Sequence, residues 1–254
     1  MSEIEPLLKV RGLERVFKDA RVLVLGGAGF LGSWISEALV HAGARVVVVD
    51  NLSTGTLDNV KHLLGNPRFK FVRGDVRTFK PESHDFEYVL NLAARPAPED
   101  YAKNPVETLL VSSEGSFNAL EIARKCEATY VFTSTSEVYG SAKVVPTPED
   151  YWGYVNPVGP RSCYDEGKRY AEALAMAYYR EYGLDVRISR IFNTYGPRLD
   201  IKVAGYGRVV TKFILQALRN EPLTVHGDGM QTRSFLYVLD NVEAHLLLMQ
   251  RKEA

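Results

Sequence analysis

Residues 22–50 read V-L-V-L-G-G-A-G-F-L-G-S-W-I-S-E-A-L-V-H-A-G-A-R-V-V-V-V-D, and the fold is decided there. Val22 to Leu25 is a short apolar run, Phe30 to His41 sets its apolar residues at helical spacing, and Arg45 to Asp50 is a second, β-branched run. That order is a β-α-β unit. Between its first strand and its helix, Gly26, Gly29 and Gly32 stand three residues apart. Lacking a Cβ, the backbone there can approach a diphosphate. The helix starting near Phe30 and Leu31 turns N–H donors and a positive dipole end toward the anion. Ordinary glycine-rich turns look similar, so Asp50 carries weight: it closes the second strand 18 residues after Gly32. A carboxylate there accepts hydrogen bonds from an adenosine ribose diol and repels a 2′-phosphate, which favours NAD over NADP.

Outward from this unit the alternation continues. Phe69 to Val72, Tyr88 to Leu92 and Thr129 to Thr133 read as strands, separated by helical stretches at about 57–64 and 106–125. Strands alternating with helices imply a parallel sheet covered on both faces. Asn51, Asp75 and Val76, and Leu92, Ala93 and Ala94 after the fourth strand, are the further positions expected to line a dinucleotide. Asp75, in R-G-D-V-R, is a candidate for the adenine edge, with turn capping an equal reading. A loop from Ser141 to Pro160 holds four prolines. Ser162 to Glu181 then reads as a helix, Val186 to Ile191 as a strand, and Gly207 to Arg219 as a helix followed by the short run Leu223 to His226. A last helix covers Asn241 to Gln250. The expected fold is α/β, a doubly wound parallel sheet of Rossmann type over 21–192. An N-terminal extension (1–20) with apolar residues Ile4, Leu7, Leu8, Leu13, Val16 and Phe17 precedes it as packing material. A smaller substrate-binding region, 193–254, follows.

The 254 residues are 46% hydrophobic and 24% charged, which fits a globular chain and excludes disorder. Thirty-one basic residues balance 31 acidic ones, so no overall field recruits nucleic acid or an anionic membrane, and neither partner is expected. Cys126 and Cys163 are too few for a disulfide framework or a cysteine zinc site; no metal is expected, and a reducing, cytoplasmic home is. Glu3 and Glu5 stand where a signal peptide is basic, and no run approaches the ~20 apolar residues of a membrane span, so the chain is expected to be soluble.

Candidate chemistry lies where the fifth strand ends in V-F-T-S-T-S-E-V-Y-G: Thr133, Ser134, Thr135, Ser136 and Glu137. Strand ends of open α/β sheets bind ligands, while hydroxyls after strands also cap helices. Tyr164 and Lys168 then fall at i and i+4 on one helical face. With 14 tyrosines, about one such pair is expected by chance, so its position after the hydroxyl-rich strand end is what informs. A phenol is a poor base at neutral pH, but a neighbouring ammonium and a cationic nicotinamide both favour its phenolate. Tyr164 is then able to take a proton from a substrate hydroxyl whose carbon passes hydride to NAD⁺, with a Ser or Thr hydroxyl holding the oxygen.

On these residues the chain resembles the extended short-chain dehydrogenase/reductase family, the sugar-nucleotide epimerases, dehydratases and decarboxylases. Within it the chain is most similar to the branch that decarboxylates UDP-glucuronate to UDP-xylose. The strings that carry the likeness are S-T-S-E-V-Y-G (134–140), P-E-D-Y-W-G-Y-V-N-P-V-G-P-R-S-C-Y-D-E-G-K-R (148–169), R-I-F-N-T-Y-G-P-R (190–198) and F-I-L-Q-A-L-R-N-E-P-L-T-V-H-G-D-G-M-Q-T-R (213–233). The resemblance implies NAD as cofactor, a UDP-sugar as substrate, and oxidation at C4 before CO₂ leaves. It places Glu137 and Ser136 near C5, and Arg233 near the pyrophosphate and the reacting sugar. Asn193 and Arg208 match positions on the nucleotide diphosphate, and Arg198 shares the phosphate or carboxylate roles with Arg208 and Arg233. Tyr101 is a further substrate position, in A-A-R-P-A-P-E-D-Y (93–101), where Arg95 and Glu99 depart from the branch's usual A-S-P-A-S-P-P-x-Y. Family members generally continue roughly 60 residues beyond the last helix here, so the substrate region is expected to be incomplete. The helices near 106–125 and 162–181 resemble those of a four-helix homodimer interface. A 4-epimerase with the same Tyr164, Lys168 and NAD is the nearest alternative, and a non-catalytic NAD-binding scaffold a further one.

Overall fold

A computed structural model describes residues 4, 7, 8, 12–199 and 209–251. Its helices are α1 (Leu13–Val16), α2 (Phe30–His41), α3 (Pro98–Lys103), α4 (Pro105–Cys126), α5 (Ser162–Tyr182), α6 (Val209–Leu218) and α7 (Val238–Gln250). Strands β1 (Arg21–Leu25), β2 (Arg45–Asp50), β3 (Phe69–Arg73), β4 (Tyr88–Asn91), β5 (Thr129–Thr135) and β6 (Val186–Ile191) form one parallel sheet, ordered β3-β2-β1-β4-β5-β6. A second parallel pair joins β7 (Asn193–Tyr195) to β8 (Phe235–Tyr237). The strand order reverses between β1 and β4, and ligands of such sheets bind in the crevice beyond the C-terminal strand ends at that point.

Alternation along β1 explains why both faces must be covered. Val22 and Val24 enter a core shared with α2 and α7, and Leu23 and Leu25 a core shared with α4 and α5; all four are fully buried. Each such side chain contributes roughly 1.5–3 kcal/mol. Ile4, Leu8, Leu13 and Phe17 are also wholly buried in the first core. Arg187 closes this face: its Nη1 donates to the carbonyls of Leu248 (2.8 Å) and Met249 (2.6 Å), acceptors that end α7.

One local expectation is corrected, and two further segments take definite form. The stretch 57–64 forms two 3₁₀ turns, Leu57–Asn59 and Lys61–Leu63, instead of an α-helix. Its buried anchors are Val60 and Leu63, one 3₁₀ turn apart, and Thr56 caps the first turn by accepting from Asp58 N. Leu223–His226 joins no sheet, because Gln216 Oε1 of α6 takes the Thr224 N–H at 3.1 Å that a strand partner would need. The segment around Pro98 is the helix α3, which begins on that proline.

Candidate active site

At the switch point β1 runs into Gly26, whose φ is +81°. A Cβ there would fall 2.7 Å from Ala93 N, so only glycine lets the turn lie against Leu92 and Ala93 at the end of β4. A Cβ on Gly32 would stand 2.3 Å from the Gly26 carbonyl oxygen, so α2 reaches back onto the turn. Gly29 starts α2 with no capping side chain. Asp50 faces the same turn: Oδ2 accepts from Ala28 N (3.0 Å) and Oδ1 from Leu52 N (2.8 Å). Burial pushes its carboxyl up while these amides pull it down. The Gly29 amide also acts on this carboxylate, and its remaining lone pairs are acceptors of the kind a ribose diol requires.

Asp75 is engaged with Arg77, accepting its backbone N–H at 2.9 Å and its guanidinium at 2.9 and 2.7 Å, which holds the carboxyl below the usual range. Here the turn-capping reading is realised, with Asn51 Nδ2 donating to Asp75 at 3.4 Å. Val76 packs against α4, close enough that a Cβ on Gly115 would touch its Cγ1 at 2.8 Å.

The strand end that carries the hydroxyls outruns its neighbour. Ladder pairing with β4 stops at Phe132, whereas pairing with β6 continues to Thr135. Side chains therefore add to the β6 ladder in holding Thr133, Ser134 and Thr135. Thr133 Oγ1 lies 3.2 Å and Ser189 Oγ 2.9 Å from His245 Nε2. His245 Nδ1 faces the Asn241 carbonyl at 2.9 Å, so it carries the proton, and burial lowers the imidazole pKa. The neutral ring thus presents one acceptor lone pair, at Nε2, to the two hydroxyls. Ser134 donates to Glu172, whose carboxylate also receives Arg190 Nε (3.0 Å) and Nη2 (2.8 Å). Thr135 Oγ1 accepts from Glu137 N at 3.3 Å, capping the turn Ser136–Tyr139 and leaving its O–H as a donor.

Against this edge α5 sets Tyr164 and Lys168. Lys168 is buried; its Nζ donates to the Thr133 carbonyl at 2.8 Å and lies 4.7 Å from the Phe132 ring centroid. Desolvation lowers its pKa to about 8, against the attraction of Glu172 one turn on. Tyr164 is buried and stacked on Tyr101 of α3, centroids 5.4 Å apart and planes 7° from parallel. Burial is likewise the main cause of the raised Tyr101 pKa. Glu137 pairs with Arg161, whose Nε lies 3.7 Å from Asp165 Oδ2. Burial pushes Asp165 up to about 6.

Other expected positions lie elsewhere. The Arg198 guanidinium sits 3.7 Å over the Trp34 ring and pairs with Glu37, so it is committed to α2, not presented beside Tyr164. Arg233 is exposed, donating to the carbonyl of Thr232 at 2.7 Å, and Asn193 Nδ2 donates to Ser234 O at 3.0 Å. These two share the β7–β8 edge. Arg208 lies outside the described residues. Arg161 and Glu172 were missed by sequence reasoning, although the spacing 161, 164, 168, 172 along one helix face carries them. Arg190 and His245 offered no local signal.

The profile of the NAD dependent epimerase/dehydratase family matches residues 22–254. UDP-glucuronic acid decarboxylase 2 of Arabidopsis thaliana is 50% identical over 239 residues, 94% of this chain and 52% of the plant protein. The chain spans about half the length of the first curated relatives it matches. A solved UDP-N-acetylglucosamine 4-epimerase from Methanobrevibacter ruminantium, in complex with UDP-N-acetylmuramic acid, superposes with a TM-score of 0.83 at 29% identity, covering 92% of this chain and 74% of that one. A UDP-glucuronic acid 4-epimerase from Bacillus cereus, in complex with NAD, gives 0.79 at 28% identity over 92% and 74% of the two chains. Among the described residues no helix is long and apolar enough to cross a membrane.

Proposed function

The chain belongs to the NAD dependent epimerase/dehydratase family, and from that premise we propose that it decarboxylates UDP-glucuronate to UDP-xylose through a 4-keto sugar. The observation that carries this reading is the junction of β5 and α5, where the hydroxyl-rich strand end meets the Lys168 ammonium and Glu137 pairs with Arg161, three residues before Tyr164 on the same helix. The plant relative's name and its identity of one half support the choice of reaction.

The glycine turn, the uncapped start of α2 and the acceptor set of Asp50 fit NAD, with Asn51 and Val76 on the adenine side and Asp75 holding Arg77 beside them. When bound, NAD supplies reversible hydride acceptance at C4 of the sugar. Tyr164, as phenolate, takes the proton of the C4 hydroxyl, and the Thr135 O–H steadies that oxygen. Lys168 favours the phenolate through its charge. With C4 oxidised, the C5 carboxylate belongs to a β-keto acid and leaves as CO₂. Ser136 and Glu137 face C5, where a proton must return to the enolate carbon. Asn193 and Arg233 on the β7–β8 edge hold the diphosphate.

Incubation with UDP-glucuronate and NAD⁺ is expected to yield a nucleotide sugar lighter by one CO₂ in mass spectrometry. The solved relatives named above are 4-epimerases, and an isomer of unchanged mass would move the assignment to that reaction. Gly32→Ala forces a Cβ into the Gly26 carbonyl, and it is expected to weaken NAD binding roughly 10- to 100-fold in titration calorimetry. Unchanged affinity would remove the turn from the cofactor site.

The reading includes a homodimer through α4 and α5, which pack on each other and expose Leu109, Phe117, Tyr170 and Tyr179. Light scattering is expected to give twice the 28.4 kDa chain mass, and Phe117→Glu with Tyr170→Glu to halve it. A monomeric parent protein contradicts this.

A further inference from the structure

Arg161 stands at the N-cap of α5, three residues before Tyr164 and so on the same face. Its Nη2 pairs with Glu137, its Nε lies 3.7 Å from Asp165 Oδ2, and its charge is felt by both Tyr101 and Tyr164. Two other cations of this edge are committed: Lys168 is buried and donates to the Thr133 carbonyl, and Arg190 is held by Glu172, Tyr139 and the Glu149 carbonyl. Arg161 is different: 52% of its side chain is exposed, and two contacts leave donors of its five-donor fork for another planar anion.

A sugar with a neutral hydroxymethyl at C5 places no charge beside Glu137. A uronate does, and two carboxylates cannot share that edge without a cation between them. We propose that Arg161 is the specificity-determining residue for the sugar carboxylate. On binding, its fork moves from Glu137 to the substrate's carboxylate, and Glu137 is released toward C5. Departing CO₂ is neutral, so the fork then returns to Glu137. This assignment rests on the uronate reading given above.

The test measures binding of UDP-glucuronate and of UDP-glucose to the NAD-loaded full chain. Arg161→Gln is expected to weaken UDP-glucuronate roughly 10- to 100-fold, the effect of losing a charge-assisted pair, and to leave UDP-glucose within about twofold. Arg161→Lys is expected to restore part of the difference and to raise KM more than it lowers kcat; it also serves if the glutamine variant misfolds. Glu137→Gln frees the fork and should tighten UDP-glucuronate, but not in the Arg161→Gln background. Equal weakening of both sugars, or none for the uronate, overturns the assignment of Arg161. A parent protein that binds neither sugar overturns the functional reading itself, and this inference with it.

Discussion

Tyr164→Phe is expected to lower turnover of UDP-glucuronate by roughly 10²- to 10⁴-fold, the range removed with a general base, while NAD affinity stays within about twofold. The substitution deletes one hydroxyl and keeps the ring, so the 5.4 Å stack on Tyr101 and the buried position persist. Single-turnover assays with calorimetric NAD titration separate the two quantities. Parallel loss of turnover and cofactor binding makes the tyrosine structural, and retention of turnover removes it from the reaction.

Lys168→Met acts in opposite directions on activity and stability. Turnover falls by at least about 10²-fold as the cation supporting the phenolate is lost. Stability at pH 7 rises. The folded chain holds this lysine at about 8 against the ordinary 10.5, so below pH 8 its burial as a cation costs about 3 kcal/mol. Losing the bond to the Thr133 carbonyl gives back about 1 kcal/mol. The net gain, on the order of 2 kcal/mol, raises the melting temperature by about 4–8 °C for a chain of this size. Between pH 8 and 10.5 the unfolded state binds more protons than the folded state. The parent protein therefore gains stability with rising pH, and its deficit against the methionine variant closes. Melting curves at pH 7 and 10 check this: a gap that widens with pH, or a variant less stable at pH 7, contradicts it.

Much of the dinucleotide half was legible because its signals are local. Gly26, Gly29 and Gly32 with Asp50 lie within one β-α-β unit, and helix periodicity places Tyr164 and Lys168 together whatever the rest of the chain does. Arg45–Asp50 and Val186–Ile191 match the expected strands residue for residue. The reading failed where two anchors suit 3₁₀ as well as α geometry, as at Val60 and Leu63. Arg198 illustrates a different failure. An arginine fork suits a phosphate, a carboxylate or an aromatic face equally, and it was Trp34 and Glu37 on α2 that took it.

By itself the amino-acid order determined the parallel α/β architecture, the glycine turn and the face shared by Tyr164 and Lys168, because 2.0- and 3.6-residue periods and missing Cβ atoms act within one or two elements. Only the tertiary structure decided which groups those residues meet: Lys168 with the Thr133 carbonyl, Glu137 with Arg161, Thr133 with His245. These partners lie 35, 24 and 112 residues apart. Their encounters follow from strand order and helix packing, which bring distant segments to one sheet edge where buried polar groups must find partners.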